Sequence, residues 1–398
     1  MMRILVDSPQ VLTRNGLRLE EKEPIFSSMR EENMYIWQRP NWPNFSWDGK
    51  RLLEPLAAAR LKQGRLLGSM ARLGFDLKLD AQLEALTEEV IKSSEIEGEV
   101  LDRNSVRSSI ARRLGVPHAA VTAPDRRTEG VVQMMLDATQ NYASPLTAER
   151  LFGWQAALFP TGYSGIHRVL TGVWRTDAEG AMQVVSGPVG KQRVHYEAPA
   201  ASQLETEMKR FFTWFNEPSD TEGLIRAGLA HLWFVTIHPF EDGNGRIARA
   251  IADQALAQSE DSGQRFYSVS SQIRKERAQY YDSLESAQKG DLNVTDWLVW
   301  FLGCFSRAID GAEGISATVL KKTDFWQRHA GETLIDRQRT MLNRYLDGFE
   351  GNLTAKKWAK MTHVSIPTAQ RDINDLVERG ILRRNAGGSK NTSYDLAN

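Results

Sequence analysis

The chain has one cysteine, Cys304, among 398 residues. An intramolecular disulfide is excluded, and the thiol lies in the apolar run Trp300-Phe301-Leu302-Gly303-Cys304-Phe305, where a buried structural side chain is expected. No apolar stretch approaches the roughly 20 residues that a membrane-spanning helix requires. The N-terminus shows no basic-then-apolar leader, so a cytoplasmic protein that does not engage membranes is expected. Charge excess is also missing: Lys plus Arg and Asp plus Glu each number 50. Nothing global therefore draws the chain toward nucleic acid. Repeats and low-complexity segments are absent. What is present is the balance of a globular protein, 41% hydrophobic and 25% charged. The length calls for two or three domains.

Residues 1–33 mix charges with proline and read as an irregular lead-in. Residues 34–49 carry three tryptophans and two prolines; proline forbids a long helix, so the aromatics should clamp an extended segment onto a neighbouring helix. Apolar recurrence at three and four (Leu52, Leu53, Leu56, Ala59, Leu66, Leu67, Met70) predicts a helix over 52–70. The same periodicity predicts helices near 77–94, 103–114, 125–142, 147–159, 200–216, 222–237, 246–260, 273–288 and 292–310. Gly98 and Gly115 stand where helices stop. Residues 160–200 are punctuated by glycine around β-prone pieces at 172–175 and 182–185, which predicts a hairpin flap among helices. The last fifty residues read as helix, helix from Ser365 or Pro367 to Glu378, then a hairpin over 381–396, the winged-helix order.

Chemistry concentrates in His238-Pro239-Phe240-Glu241-Asp242-Gly243-Asn244-Gly245-Arg246-Ile247-Ala248-Arg249. Pro239 moves His238 out of the helical region. Gly243 and Gly245 let the backbone approach a bound group. A helix from Arg246 points free N–H groups and its positive dipole end back at that turn, which makes an anion site. Arg246 and Arg249, three apart, share a face and can reach one polyphosphate. Asp242 and Glu241 can hold a divalent cation there. His238 is placed to take a proton from an incoming hydroxyl. Each element alone is common; the twelve-residue order is not.

This segment resembles the Fic motif, H-x-F-x-[D/E]-G-N-G-R-x-x-R, at every fixed position. The resemblance implies a mainly α fold: a Fic-type helical core with a small β-hairpin flap, here followed by a winged-helix domain. It implies AMP transfer from ATP to Ser, Thr or Tyr hydroxyls of target proteins and of the chain itself. By that resemblance His238 is the general base and Asp242 binds Mg2+. Gly243, Asn244, Gly245, Arg246, Ile247, Ala248 and Arg249 line the nucleotide, with Arg249 on the γ-phosphate. Tyr280-Tyr281 stands where the family carries a Tyr-Tyr pair near adenine. A flap over about 184–194 would dock the target as an added strand. His195 and His167 are expected to be structural.

Ser93-Ser94-Glu95-Ile96-Glu97-Gly98 resembles the family's inhibitory motif, [S/T]-x-x-x-E-[G/N]. The resemblance implies that Glu97, with Ser93 in the same motif, takes Arg249 away from the γ-phosphate, and it leaves open a reverse removal of AMP. The expected organisation is a lead-in to 33, an N-terminal helical domain over 34–118 holding this motif, a catalytic core over 119–312, and a linker helix plus winged-helix-like domain over 313–398. From Glu350 onward eight basic residues face five acidic ones, a net charge of +3. Since Asp372, Asp375 and Glu378 fall on the second helix, protein contact or a homodimer is favoured there over DNA. Two alternatives stay open: a DNA-binding regulator with a Fic core, and a Fic transferase using another donor such as UMP or phosphocholine.

Overall fold

Aspartate and threonine caps start several of the helices, which is why these begin close to where their side chains predict. In the computed structural model, which describes residues 34–73, 75–116, 125–178, 180–188, 191, 193–346, 351–385 and 392–397, Asp48 accepts the Lys50 and Arg51 N–H groups and opens α1 (Gly49–Ala71). Asp102 caps α3 (Arg103–Leu114), which follows α2 (Phe75–Ile96). Asp125 caps α4 (Arg126–Gln140) and Thr147 caps α5 (Ala148–Leu158). Such caps satisfy the orphan N–H groups of the first turn. α3 stops at Gly115 with φ 73°. The predicted lead-in over 1–33 lies outside the described residues, as do residues 117–124 and flap residues 189, 190 and 192.

α6 (Leu204–Asn216) precedes α7 (Gly223–Ile237), in which nearly every residue is buried. A helix apolar all round belongs at the centre of a core. α8 (Asn244–Glu260) packs beside it. α4 and α5 meet at Gly130, where a Cβ would lie 1.8 Å from the Ala157 carbonyl oxygen. The single helix predicted over 273–288 is two, α9 (Val269–Lys275) and α10 (Arg277–Lys289). Glu276 breaks the run, its carboxylate taken by Arg307. α11 runs Thr295–Arg328, well beyond the expected end at 310.

Three antiparallel pairs supply the β structure of the described residues. β1 (Tyr163–Ser164) pairs with β2 (His167–Arg168), and β3 (Gln183–Ser186) pairs with β4 (Arg193–Glu197), with a bulge between Val184 and Val185. The predicted β piece at 172–175 is not a strand. Its side chains are used elsewhere: Trp174 lies 5.0 Å from Phe240, and the Arg175 guanidinium donates to the His238 carbonyl.

The described residues up to 313 form one compact unit. Within it a continuous apolar core runs from Ile36 to Ala312, so the helices of 34–116 and those of 125–312 share their packing. The tryptophan segment does clamp: Trp42 and Phe45 meet Trp233 edge-on, and the Trp37 indole donates to the Glu197 carbonyl. Cys304 is buried, which pushes its thiol well up. The second unit, 314–398, has a core of its own around Trp358, Ile373, Leu376 and Ile381. There α12 (Asp336–Leu346), α13 (Ala355–Thr362) and α14 (Ile366–Glu378) precede the antiparallel strands β5 (Leu382–Arg384) and β6 (Tyr394–Leu396). Among the described residues no helix is long and apolar enough to cross a membrane.

Candidate active site

α7 ends at His238, whose φ of 52° and ψ of 57° are left-handed rather than the extended geometry usual before proline. A non-glycine residue held there is uncommon and strained. Its surroundings hold it: its N–H bonds the Phe234 carbonyl, and the Arg175 guanidinium takes its carbonyl at 2.8 Å. The ring Nδ1 lies 3.1 Å from the Val235 carbonyl oxygen. A carbonyl only accepts, so Nδ1 carries the proton and Nε2 keeps its lone pair. Burial pushes the imidazole down to about 4, with Arg175 adding to the shift and the Val235 carbonyl opposing it. At neutral pH this is an uncharged base.

The Asn244 side chain bonds both backbone groups of Phe240 in the loop from 239 to 243. Asn244 Oδ1 accepts the Phe240 N–H at 3.0 Å, and Nδ2 donates to the Phe240 carbonyl at 2.7 Å. Phe240 is fully buried against Trp174 and Phe152. Ile247 and Ala248 are likewise in the core, so only their backbones can face a ligand. Gly243, with φ 89°, precedes α8, and no side chain caps that helix. The N–H groups of Asn244, Gly245 and Arg246 therefore face the turn without an intrahelical acceptor.

Two carboxylates precede this turn and divide in use. Glu241 accepts the Leu170 N–H at 2.8 Å, which ties it to the backbone near β2. Asp242 is partly exposed, accepts the Gly243 N–H and stands 4.0 Å from an Arg246 terminal nitrogen. Among the described residues no group of three or more His, Cys, Asp or Glu could hold a metal by itself. Asp242 alone suits Mg2+ whose other ligands are phosphate and water.

Arg249 is 3% exposed. Its Nε donates to Ser93 Oγ at 2.9 Å, and its Nη2 reaches both the Ser93 carbonyl and Glu97 Oε1 at 2.8 Å. Glu97 leans over the start of α8: a Cβ on Gly245 would lie 2.2 Å from its Oε1. Burial alone would raise the Glu97 carboxyl, but Arg249, with Arg246 and Arg277, holds it below its ordinary range. Arg249 Nη1 and Arg246 Nε are buried without a partner. Two orphaned guanidinium nitrogens beside an uncapped helix N-terminus form a cradle fitted to a polyanion. Arg246, lying over the Phe159 ring, also meets Glu99 at 2.7 Å.

The tyrosine pair separates. Tyr280 is buried with its hydroxyl 2.9 Å from His231 Nε2. Tyr281 stays partly open, beneath the Arg277 guanidinium. His195, in β4, bridges Ser186 and Glu285, and Glu285 also binds Arg193 and Lys289. Burial opposes ionisation of Glu285, yet these hydrogen bonds hold its carboxyl at about 2. The flap is thus fastened to α10. The sequence did not flag Glu99, Arg175 or Arg277. Only Glu99 left a local signal, two residues after Glu97 across a glycine; the other two join the site through long-range contacts.

Residues 145–256 match the Fic/DOC family, and residues 35–116 match a family described only as a domain of unknown function, DUF4172. A protein adenylyltransferase Fic of Nematostella vectensis is 32% identical over 114 residues, 28% of this chain and 25% of that protein. Its counterpart in Culex quinquefasciatus is 26% identical over 251 residues, 63% of this chain and 46% of that protein. The chain thus spans about half or less of the length of these relatives. In fold it is similar to a Fic family protein from Desulfovibrio desulfuricans G20, with a TM-score of 0.51 at 20% identity, covering 89% of this chain and 98% of that one.

Proposed function

We propose that this chain, whose residues 145–256 match the Fic/DOC family, is a protein adenylyltransferase that moves AMP from ATP to a protein hydroxyl and is restrained by Glu97. The observation that carries this reading is the juxtaposition at one uncapped helix N-terminus of a neutral, Nδ1-protonated His238 with two buried arginines that have unpartnered nitrogens.

The N–H groups at the start of α8 receive the phosphates, and Arg246 and Arg249 add charge-assisted hydrogen bonds. Mg2+ held by Asp242 supplies charge neutralisation on the phosphates when bound. His238 Nε2 accepts the proton of the acceptor hydroxyl as its oxygen forms a bond to the α-phosphorus. The bond from that phosphorus to the bridging oxygen breaks, and pyrophosphate leaves with the electron pair. Burial of His238 keeps the base free of water and uncharged before the reaction.

The acceptor reaches this point along the β3–β4 flap. The flap is a two-stranded ribbon, and a target segment can add to an outer edge of it. Its fastening through Glu285 ties the ribbon to α10. In the resting chain Glu97 occupies Arg249, so the γ-phosphate lacks its partner and the α-phosphate is not aligned.

Incubation with labelled ATP and Mg2+, followed by detection of AMP on protein, tests the assignment. Replacing the base, His238→Ala, should lower the rate by about 10²–10⁴. Labelling by that variant equal to its parent's refutes the mechanism.

A further inference from the structure

The turn that carries Glu97 carries a second carboxylate aimed at the same site. α2 closes with Gly98 at φ 85°. The Glu99 N–H bonds the Ser94 carbonyl and the Gly98 N–H bonds the Glu95 carbonyl, the paired bonds of a Schellman ending. Glu97 and Glu99 therefore flank a left-handed glycine, and both side chains reach α8. Glu97 meets Arg249 at 2.8 Å, and Glu99 Oε2 meets Arg246 Nη1 at 2.7 Å. Each of the two motif arginines is held by a carboxylate from this one turn.

The two contacts differ in partner and place. Glu97, 30% exposed, lies over Gly245, where a Cβ would come 2.2 Å from its Oε1, and it pairs with Arg249. The Glu99 side chain is 36% exposed, whereas Arg246 is 2% exposed. Glu99 can rotate into water, but Arg246 cannot leave. Arg246 also has Asp242 Oδ1 at 4.0 Å from its other terminal nitrogen, so carboxylates stand on two sides of one guanidinium. A phosphate competes with Glu99 for that edge, and the negative charge of Glu99 opposes any anion at the α8 N-terminus.

We propose that Glu99 is a positioning residue that acts through Arg246 to set nucleotide affinity, as a second carboxylate distinct from the Glu97 brake on turnover. The inference rests on the reading that ATP phosphates occupy the start of α8. It assigns the two carboxylates separate kinetic signatures: Glu97 limits kcat, and Glu99 raises the Kd and KM for ATP.

The test uses the full chain, with Glu99→Gln in the wild-type and Glu97→Gly backgrounds, and Glu99→Ala as a second variant. Calorimetry measures binding of ATP with Mg2+ and, separately, of inorganic tripolyphosphate. Loss of the charge should tighten both ligands by about 3- to 30-fold, the scale of a half-exposed charge-assisted hydrogen bond. In the Glu97→Gly background the KM for ATP should fall by the same factor while kcat stays within about twofold. The gain should shrink as salt is raised. Unchanged or weaker binding, or no binding of either ligand to any variant, overturns the inference. If tripolyphosphate tightens but no variant transfers AMP, the gate stands and the adenylyltransferase reading fails. If AMP is transferred and ATP affinity does not change, the gate alone fails.

Discussion

Removing the Glu97 carboxylate should release AMP transfer, and the geometry sets the size of the release. Glu97 Oε1 lies 2.8 Å from Arg249 Nη2, with 30% of the Glu97 side chain exposed and 2% of that of Arg249. Deleting one partner of a fully buried pair costs about 3–5 kcal/mol. Water reaches Glu97, so the pair is worth less, about 1–3 kcal/mol. Arg249 also keeps Ser93 as a partner through Nε and Nη2, which limits the loss further. A bias of that size against the released arginine corresponds to about 5- to 150-fold. Glu97→Gly should therefore raise AMP incorporation from labelled ATP, on the chain itself and on added protein, by that factor. The same variant should lose stability without nucleotide, because a buried guanidinium has lost its carboxylate. Saturating ATP should return it by mass action. Glu97→Gln, whose amide oxygen still accepts a hydrogen bond but carries no charge, should fall between. Thermal unfolding with and without ATP, run beside the incorporation assay, separates release from collapse. Incorporation unchanged or lower in a folded Glu97→Gly protein refutes the brake.

Three further outcomes follow from other parts of the site. Burial pushes the His238 imidazole down to about 4, so under the proposed mechanism kcat/KM in the Glu97→Gly background should be lost as pH falls through about 4; an acid limb near the ordinary value of about 6.5 contradicts the burial argument. Asn244→Ala orphans the Phe240 N–H and carbonyl in a buried loop, which should cost about 2–4 kcal/mol by urea denaturation; a loss under about 0.5 kcal/mol means the loop is not pinned there. Asp253 is buried near Glu89 and Glu260, with Arg265 the counter-charge, and burial first and then Glu89 raise its carboxyl well above the usual range. Folding then takes up a proton, so that stabilisation is full below about 3.9 and is lost as pH rises toward the folded value. Asp253→Asn removes the slope, so its stability relative to the parent should improve from about pH 4 upward, by at most about 1.4 kcal/mol per pH unit. A constant difference across pH shows that Asp253 stays ionised.

Local chemistry wrote much of this protein into its sequence. The spacing of Leu52, Leu66 and Met70, the aspartate caps and the glycine stops are short-range physics, and helices formed where those signals stood. The order His238 to Arg249 is local too: one helix end, one turn and one helix start put base, anion cradle and arginines together within twelve residues. Where a tertiary partner decides, the sequence misled. The β-prone piece at 172–175 is irregular because Trp174 and Arg175 are drawn onto Phe240 and His238. Two other placements were not legible in the sequence: Tyr280 is buried with its hydroxyl against His231, and Glu241 accepts from the Leu170 backbone.

By itself, then, the sequence determined the chemistry of the site, since proton acceptor, anion cradle and guanidiniums are carried by neighbouring residues. The resemblance to the inhibitory motif pointed to Glu97 as a partner of Arg249, whereas only the tertiary structure revealed Glu99 against Arg246. More than a hundred residues separate Glu97 and Glu99 from the arginines they meet. Such pairs exist only because α2 and α8 pack in one core with the Gly98 turn against the start of α8. Charge pairing falls off within ångströms, so no spacing along the chain could have fixed which carboxylate reaches which arginine.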